Sequence, residues 1–370
     1  MTRAKKKVSV IITEYWDISH ADVIITKMIE GFRINGIPYT SSLEIVSMYV
    51  DQFPENDISR GIAAKHGIPM YETIEETLLC GGKQMDIEGI IIIGEHGEYP
   101  QNEYDQVLYP RRQFFEKCLQ LMLKHDHIVP VFSDKGYAIV KEDIEWMYDQ
   151  ITEHNIPFMS SSSIPFAFQK PCPPPIPSGA SLHKMFGFSF GPDVDRYAYH
   201  TMEMLQSVAE RRAYGETGVA SVIAYEGEEA IKQLFGPRWQ AHYRTLGGYI
   251  NVTDIESFPQ TLDRPIFIEV NYADGLQAGI LHADKEINRF VSSFQITEQS
   301  QLYYTEYDCQ WQKPYTHAAI FVLEIERFIH TGRALFPIER SLITAGVTDA
   351  VMKSLYMKKE IETDYLKVSY

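Results

Sequence analysis

The first thirty residues of the chain contain no glycine. That absence matters because VSVIITEYWDISHADVI (8–24) otherwise reads as a buried strand running into a helix. In a dinucleotide-binding α/β protein, this is where the glycine loop sits. The turn here is Thr13-Glu14-Tyr15-Trp16-Asp17-Ile18, with two carboxylates and two aromatic rings. Cysteine is scarce as well. Cys80, Cys118, Cys172 and Cys309 lie far apart with no CxxC, which argues against a disulfide framework or a thiolate metal site. Reduced thiols and a cytoplasmic location are the expectation. No run approaches the roughly 18 apolar residues of a membrane span, and Val8–Ile12 is too short for a secretory core. Basic residues are outnumbered, 34 against 50, and the net charge of −16 argues against nucleic-acid or anionic-membrane partners. The cluster Arg3–Lys7 reads as a solvated tail.

At 370 residues with 45% hydrophobic content, two domains are expected. The first part alternates strand and helix: LEIVSMYVD (43–51), SRGIAAKHG (59–67), IPMY (68–71), IEETLLCGG (74–82), GIIIIGEHG (89–97), PRRQFFEKCLQLMLKH (110–125) and IVPVFSDKG (128–136). Buried β-branched runs punctuated by helices predict a doubly wound parallel sheet. Residues 138–170 add a helix and a last strand, and PCPPPIP (171–177) reads as a crossover. Beyond it, HTMEMLQSVAERR (200–212) predicts a helix. RPIFIEVNYADGLQAGILHA (264–283) predicts an alternating strand pair turning at 273–275, and helices follow at 317–332 and 337–356. The fold class is α/β plus α+β: a Rossmann-like domain over 1–137, an open, mostly antiparallel sheet with helices over 138–336, and a helix and tail over 337–370.

Ligands of an open parallel sheet bind beyond the carboxyl ends of its strands. Those ends deliver Glu14 with Asp17 and His20, Asp51, Glu95-His96 with Glu98 and Tyr99, and Asp134-Lys135. Each has an ordinary reading: Asp51 as a turn cap, His96 as a loop histidine, His20 as a first-turn residue after a Ser19 cap. Four strands sending charged groups to one rim favour function. Arg111 and Arg112 sit in a helix's first turn, where they oppose its dipole, a local penalty that hints at substrate contact. His200 and Glu203 are three residues apart on one helical face, and could be a base with its carboxylate or a plain ion pair. Arg211 could clamp an anion or lie in solvent.

Together these parts resemble the Gfo/Idh/MocA oxidoreductase superfamily over nearly the whole chain. IVSMYVDQFPENDISRGIAAKHGIPMYETIEETL resembles its second strand and following helix, and IIIIGEHGEYP the strand whose loop faces the nicotinamide. VPVFSDKG resembles its EKP strand, with Lys135 on the catalytic lysine, and DVDRYAYHTMEML its histidine-bearing helix, with His200 on that histidine. The resemblance implies hydride transfer between NAD or NADP and a sugar-, polyol- or cyclitol-like substrate, with Lys135 and His200 handling the hydroxyl proton. It also implies homo-oligomers through the C-terminal sheet. The catalytic candidates are Lys135, His200, His96 and Asp134. Glu14, Asp51 and Glu95 are the cofactor candidates, and Tyr99, Arg111, Arg112, Glu203 and Arg211 the substrate candidates. The opening turn departs from the family pattern, since Glu14 and Asp17 repel a diphosphate and Tyr15 and Trp16 crowd it. An alternative is therefore a non-redox lyase, hydratase or hydrolase with a divalent Mn, Zn or Fe held by Glu14, His20, His96 and His200. A catalytically idle sensor or scaffold subunit is the third reading.

Overall fold

The computed structural model describes residues 4–370 apart from 35, 174–175, 177–178, 251, 253, 285–286, 298, 300 and 311. The chain forms two compact units. One comprises Met1–Pro100, Leu108–Ser161 and Gln310–Ser341, the other Gln101–Val107, Ser162–Cys309 and Leu342–Tyr370. Of the crossover PCPPPIP, residues 174, 175 and 177 lie outside the described residues.

The strands of the first unit are β1 (Lys6–Ile12), β2 (Phe32–Ile34), β3 (Ile37–Tyr39), β4 (Leu43–Val50), β5 (Gly89–Ile93), β6 (Val131–Asp134) and β7 (Phe158–Ser161). Five of them make one parallel sheet in the order β4-β1-β5-β6-β7, while β2 and β3 pair as a small hairpin. Continuous burial of VSVII and GIIII follows from helices covering both faces. The reversal of strand order lies between β1 and β5, so β1 and its neighbours end at the switch point where ligands of such sheets bind. The helix Ser59–His66 closes on Gly67 in the left-handed conformation, as its sequence predicts. IPMY makes only an isolated bridge, Met48 with Met70, rather than a strand. The helix Lys141–Glu153 and β7 extend the parallel sheet, and Phe321 of the helix His317–Thr331 packs edge-on against Phe132 of β6. Residues 138–161 and 310–341 thus complete the first unit.

The second unit holds β8 (Phe168–Lys170), β9 (Leu182–Phe190), β10 (Val219–Glu226), β11 (Ile266–Tyr272), β12 (Gln277–Ala283), β13 (Phe290–Ile296), β14 (Leu302–Asp308) and β15 (Ile361–Glu362). They form one sheet, β15-β10-β11-β12-β9-β13-β14-β8, antiparallel except where β12 runs parallel to β9. One face packs Phe186, Phe188, Phe267 and Leu281 against Trp239, Tyr243 and Leu246 of the helical segment 239–247. Gly279 makes this possible, because a β-carbon there would stand 2.9 Å from the Trp239 ring. The opposite face carries the helix Val194–Ala209, against which Gly187 presents no side chain. Among the described residues no helix is long and apolar enough to cross a membrane.

Candidate active site

The carboxyl edge of the parallel sheet gathers the charged groups that the sequence placed there. Glu95, just past β5, is 1% exposed, and its carboxylate accepts from Lys135 Nζ at 2.8 Å and Arg111 Nη2 at 2.5 Å. Burial by itself pushes the Glu95 carboxyl up. The adjoining Lys135 and Arg111 charges outweigh it and hold the group well below the usual carboxylate range. Arg111 also donates Nε to the Gly94 carbonyl and Nη1 to that of Lys135. Gly94 is required here, since a β-carbon would come within 2.6 Å of the Arg111 stem. Glu95, expected among the cofactor residues, and Arg111, expected among the substrate residues, are the buried halves of one ion cluster, with all three guanidinium nitrogens engaged. Opposing a helix dipole was the visible sign of Arg111, and the buried glutamate is its cause. Arg112 turns the other way, over the Trp146 ring at 4.4 Å and beside Glu116 and Asp143 at 3.5 Å each, in contacts that hold two helices together.

Above this cluster stands His20, whose Nδ1 lies 2.6 Å from Asp134 Oδ2. Asp134 ends β6 with its side chain 2% exposed, while His20, 26% exposed, opens the first helix. A carboxylate can only accept, so the shared hydrogen belongs to Nδ1 and the basic nitrogen of the neutral ring is Nε2. His96 adjoins this ring edge-on at 5.5 Å and Trp16 at 4.9 Å, and its backbone is left-handed at φ 72°. A non-glycine residue in that conformation stores strain, a feature concentrated at functional sites. Lys135 has the same property at φ 58°. His20, His96, Asp134, Lys135, Glu95 and Trp16 therefore form one constellation. Trp16 is the member that residue-type reasoning treated only as an obstruction.

At the end of β4, Asp51 accepts from the Tyr49 hydroxyl at 2.5 Å and the Tyr99 hydroxyl at 2.7 Å. Burial, then the Asp51 charge, raises both phenols above their ordinary range. Next to it the Gln52 amide exchanges two hydrogen bonds with the backbone of Glu98, at 2.9 and 3.0 Å. The acid expected to meet a ribose is thus met by two tyrosines, and Tyr99 serves it.

The first turn is closed upon itself. Ser19 Oγ accepts from the amides of Trp16 and Asp22, both at 3.2 Å, and the Ile18 amide donates to Asp22 Oδ2 at 3.1 Å. Glu14 accepts from the Trp16 indole at 3.1 Å, and burial raises its carboxyl above the ordinary value. In a glycine loop, amides at a helix start remain for a diphosphate. Here side chains already hold the amides of Trp16, Ile18 and Asp22, and Glu14 and Asp17 add negative charge, so the turn does not fit that group. Ser19 and Asp22 form a Ser-x-x-Asp cap, a signal the sequence carries openly.

His200, Glu203 and Arg211 lie in the second unit. His200 is 7% exposed, with Nδ1 2.6 Å from Ser162 Oγ, and Glu203 accepts from the Thr344 hydroxyl at 2.8 Å. Glu203 is thus engaged by Thr344, and Arg211 is exposed beside the buried Arg212, which pairs with Glu216 at 2.9 Å. Among the described residues no group of three or more His, Cys, Asp and Glu side chains is arranged to hold a metal. The metal set Glu14, His20, His96 and His200 is corrected accordingly. Glu14 turns to Trp16, His20 to Asp134, and His200 to Ser162.

No family model matches the chain, and no curated protein matches it by sequence. Solved structures do. GenD2 from gentamicin A biosynthesis, in complex with NAD, superposes with a TM-score of 0.61 at 9% identity, covering 98% of each chain. Scyllo-inositol dehydrogenase from Lactobacillus casei, with bound NAD(H) and scyllo-inositol, gives 0.59 at 10% identity over 97% of this chain and 99% of its own. A myo-inositol dehydrogenase from Corynebacterium glutamicum gives 0.56 at 11% identity over the same shares. The chain has the two-domain Gfo/Idh/MocA fold. A Rossmann-like parallel sheet joined to a mixed, mostly antiparallel sheet is that architecture, as the sequence motifs implied.

Proposed function

We propose that the chain is an enzyme acting on a sugar-, polyol- or cyclitol-like compound, and that its own part in the chemistry is proton transfer at a substrate hydroxyl by His20. The observation that carries this is the His20–Asp134 pair at 2.6 Å, with Asp134 buried at the end of β6 on the carboxyl edge of the parallel sheet. The buried carboxylate fixes the imidazole's tautomer and stabilises the cation formed when Nε2 takes a proton. The Glu95–Lys135–Arg111 cluster supports the floor beneath it, and His96 with Trp16 supplies flat, polar-edged walls suited to a ring of hydroxyl-bearing carbons. The substrate class is supported by the inositol dehydrogenases that share the fold.

Two forms of this reading differ in cofactor. The neighbours that bind NAD(H) support an oxidoreductase that uses NAD or NADP, with Lys135 and His200 sharing the hydroxyl proton as the family resemblance implies. The closed first turn supports the second form, acid–base chemistry such as elimination or hydration with no dinucleotide. Equilibrium binding of inositols and hexoses, measured by calorimetry with and without NADH or NADPH, tests both. Polyol binding that requires the nucleotide and is weakened by Asp51→Ala selects the oxidoreductase. Polyol binding without it, lost in His20→Ala, selects the other. No polyol binding under either condition overturns the proposal.

A further inference from the structure

The Asp22 side chain is 2% exposed, yet it lies one turn into a helix that starts at the rim of a ligand-binding sheet. An ionised carboxylate so buried requires donors. It has three. The Ile18 amide reaches Oδ2 at 3.1 Å, the Thr26 hydroxyl reaches Oδ1 at 2.7 Å, and Lys313 Nζ lies 3.4 Å from Oδ2. Thr26 gives its only hydroxyl hydrogen to Asp22, so in the 2.6 Å contact between Thr26 and Tyr15 the tyrosine is the donor. Tyr15, fully buried, thus fills the space under the turn and feeds the same carboxylate through Thr26.

The backbone is shaped to this arrangement. Ile18, a β-branched residue, sits at φ 77°, which directs its amide back to Asp22. Two residues after its start at His20, the first helix passes into a π-turn over Asp22–Thr26. π-turns inside helices are rare and recur at functional positions. From the far end of the first unit's chain, Lys313 pairs with Asp17 as well as Asp22, Lys27 donates to the Pro314 carbonyl, and its ammonium lies 5.6 Å from the Tyr315 ring centre. The segment 313–315 is thereby strapped across the turn.

An amide, a hydroxyl and a lysine converging on one anion at a helix start is how a protein holds a phosphate. We infer that in this chain the anion is internal: the Asp22 carboxylate takes the role of a bound diphosphate, so that substrate is handled at the rim with no dinucleotide seated at the first turn. The inference rests on the functional reading above only for the word substrate.

Hydrogen exchange on the full-length protein, with and without NADH and NADPH, tests it. Unchanged exchange across residues 14–26 is expected, and nucleotide-dependent protection there overturns the inference. Asp22→Ala supplies the converse. Freed of the internal anion, the turn is expected to bind inorganic pyrophosphate at least about tenfold tighter than the wild type, a free-energy change of about 1.4 kcal/mol. A folded variant with no such gain counts against Asp22 in this role. Should Asp22→Ala not fold, the wild-type exchange result decides. A polyol-binding failure would remove the proton-transfer proposal and leave the exchange result standing.

Discussion

Both units hold buried ion pairs, Glu95 with Lys135 in the first and Arg212 with Glu216 in the second, and they differ in their histidines. The parallel sheet keeps charges and pairs them: Glu95 with Lys135 and Arg111, Asp134 with His20, Asp22 with Lys313. Two buried histidines of the second unit, His282 in β12 and His242 in the helical segment packed on the mixed sheet, are stripped of charge. His242 and His282 are 2% and 4% exposed, each bonded to a serine hydroxyl, Ser293 and Ser189, and burial pulls both down to about 4. The lesson concerns where chemistry can reside. On the proposed reading the paired charges at strand ends serve proton transfer, whereas the neutral histidines buried in and against the mixed sheet are packing elements.

The largest expected effect breaks the first half of that contrast. Glu95→Gln leaves Lys135 and Arg111 buried without a counter-charge, and unfolding free energy should fall by about 3–5 kcal/mol in a denaturant titration. A loss under about 1 kcal/mol would mean that water screens the cluster after all.

Acid probes the second half. The folded values of His242 and His282 lie below the ordinary 6.5, so the unfolded chain binds protons first. Their stabilising contribution is complete above pH 6.5 and is lost as pH falls through 6.5 to about 4, by up to about 3 kcal/mol each. Glu95 has the same depressed sign but a carboxylate's range: its contribution is complete above 4.5 and is lost progressively as pH falls below it. Region-resolved hydrogen exchange at pH 7 and pH 4.5 should therefore show the mixed sheet loosening before the parallel one. Simultaneous loosening would contradict the assignment.

Smaller effects refine the picture. Ser19→Ala removes the acceptor for two turn amides and should cost about 1 kcal/mol. Arg112→Ala should cost under about 1 kcal/mol and leave polyol binding unchanged, because its partners are Trp146, Glu116 and Asp143. Weakened polyol binding in that variant would restore the substrate role that the sequence suggested.

The fold was largely legible before the structure because burial on both faces writes itself into VSVII and GIIII, and a left-handed cap into Gly67. The rim was legible too, since strand ends can be counted. What each rim residue does there was not. Nothing local to Glu95 or Arg111 says that they pair, because their contact needs the loop after β5 and a helix sixteen residues on to meet over Gly94. Lys313 reaches Asp22 across 291 positions of sequence, beyond any periodicity. Arg211 and Arg212 are chemically equivalent in the sequence, and only the fold decides which is buried. Ser19 was the exception, since its cap is written within a few residues.

The central claim is that His20 moves the proton and Asp134 positions it. Asp134→Asn preserves shape while removing the carboxylate that fixes the His20 tautomer. Turnover of whichever polyol the protein proves to bind should fall by about 10²–10⁴-fold with unchanged circular dichroism. Turnover equal to that of the wild type in a folded Asp134→Asn would contradict the account.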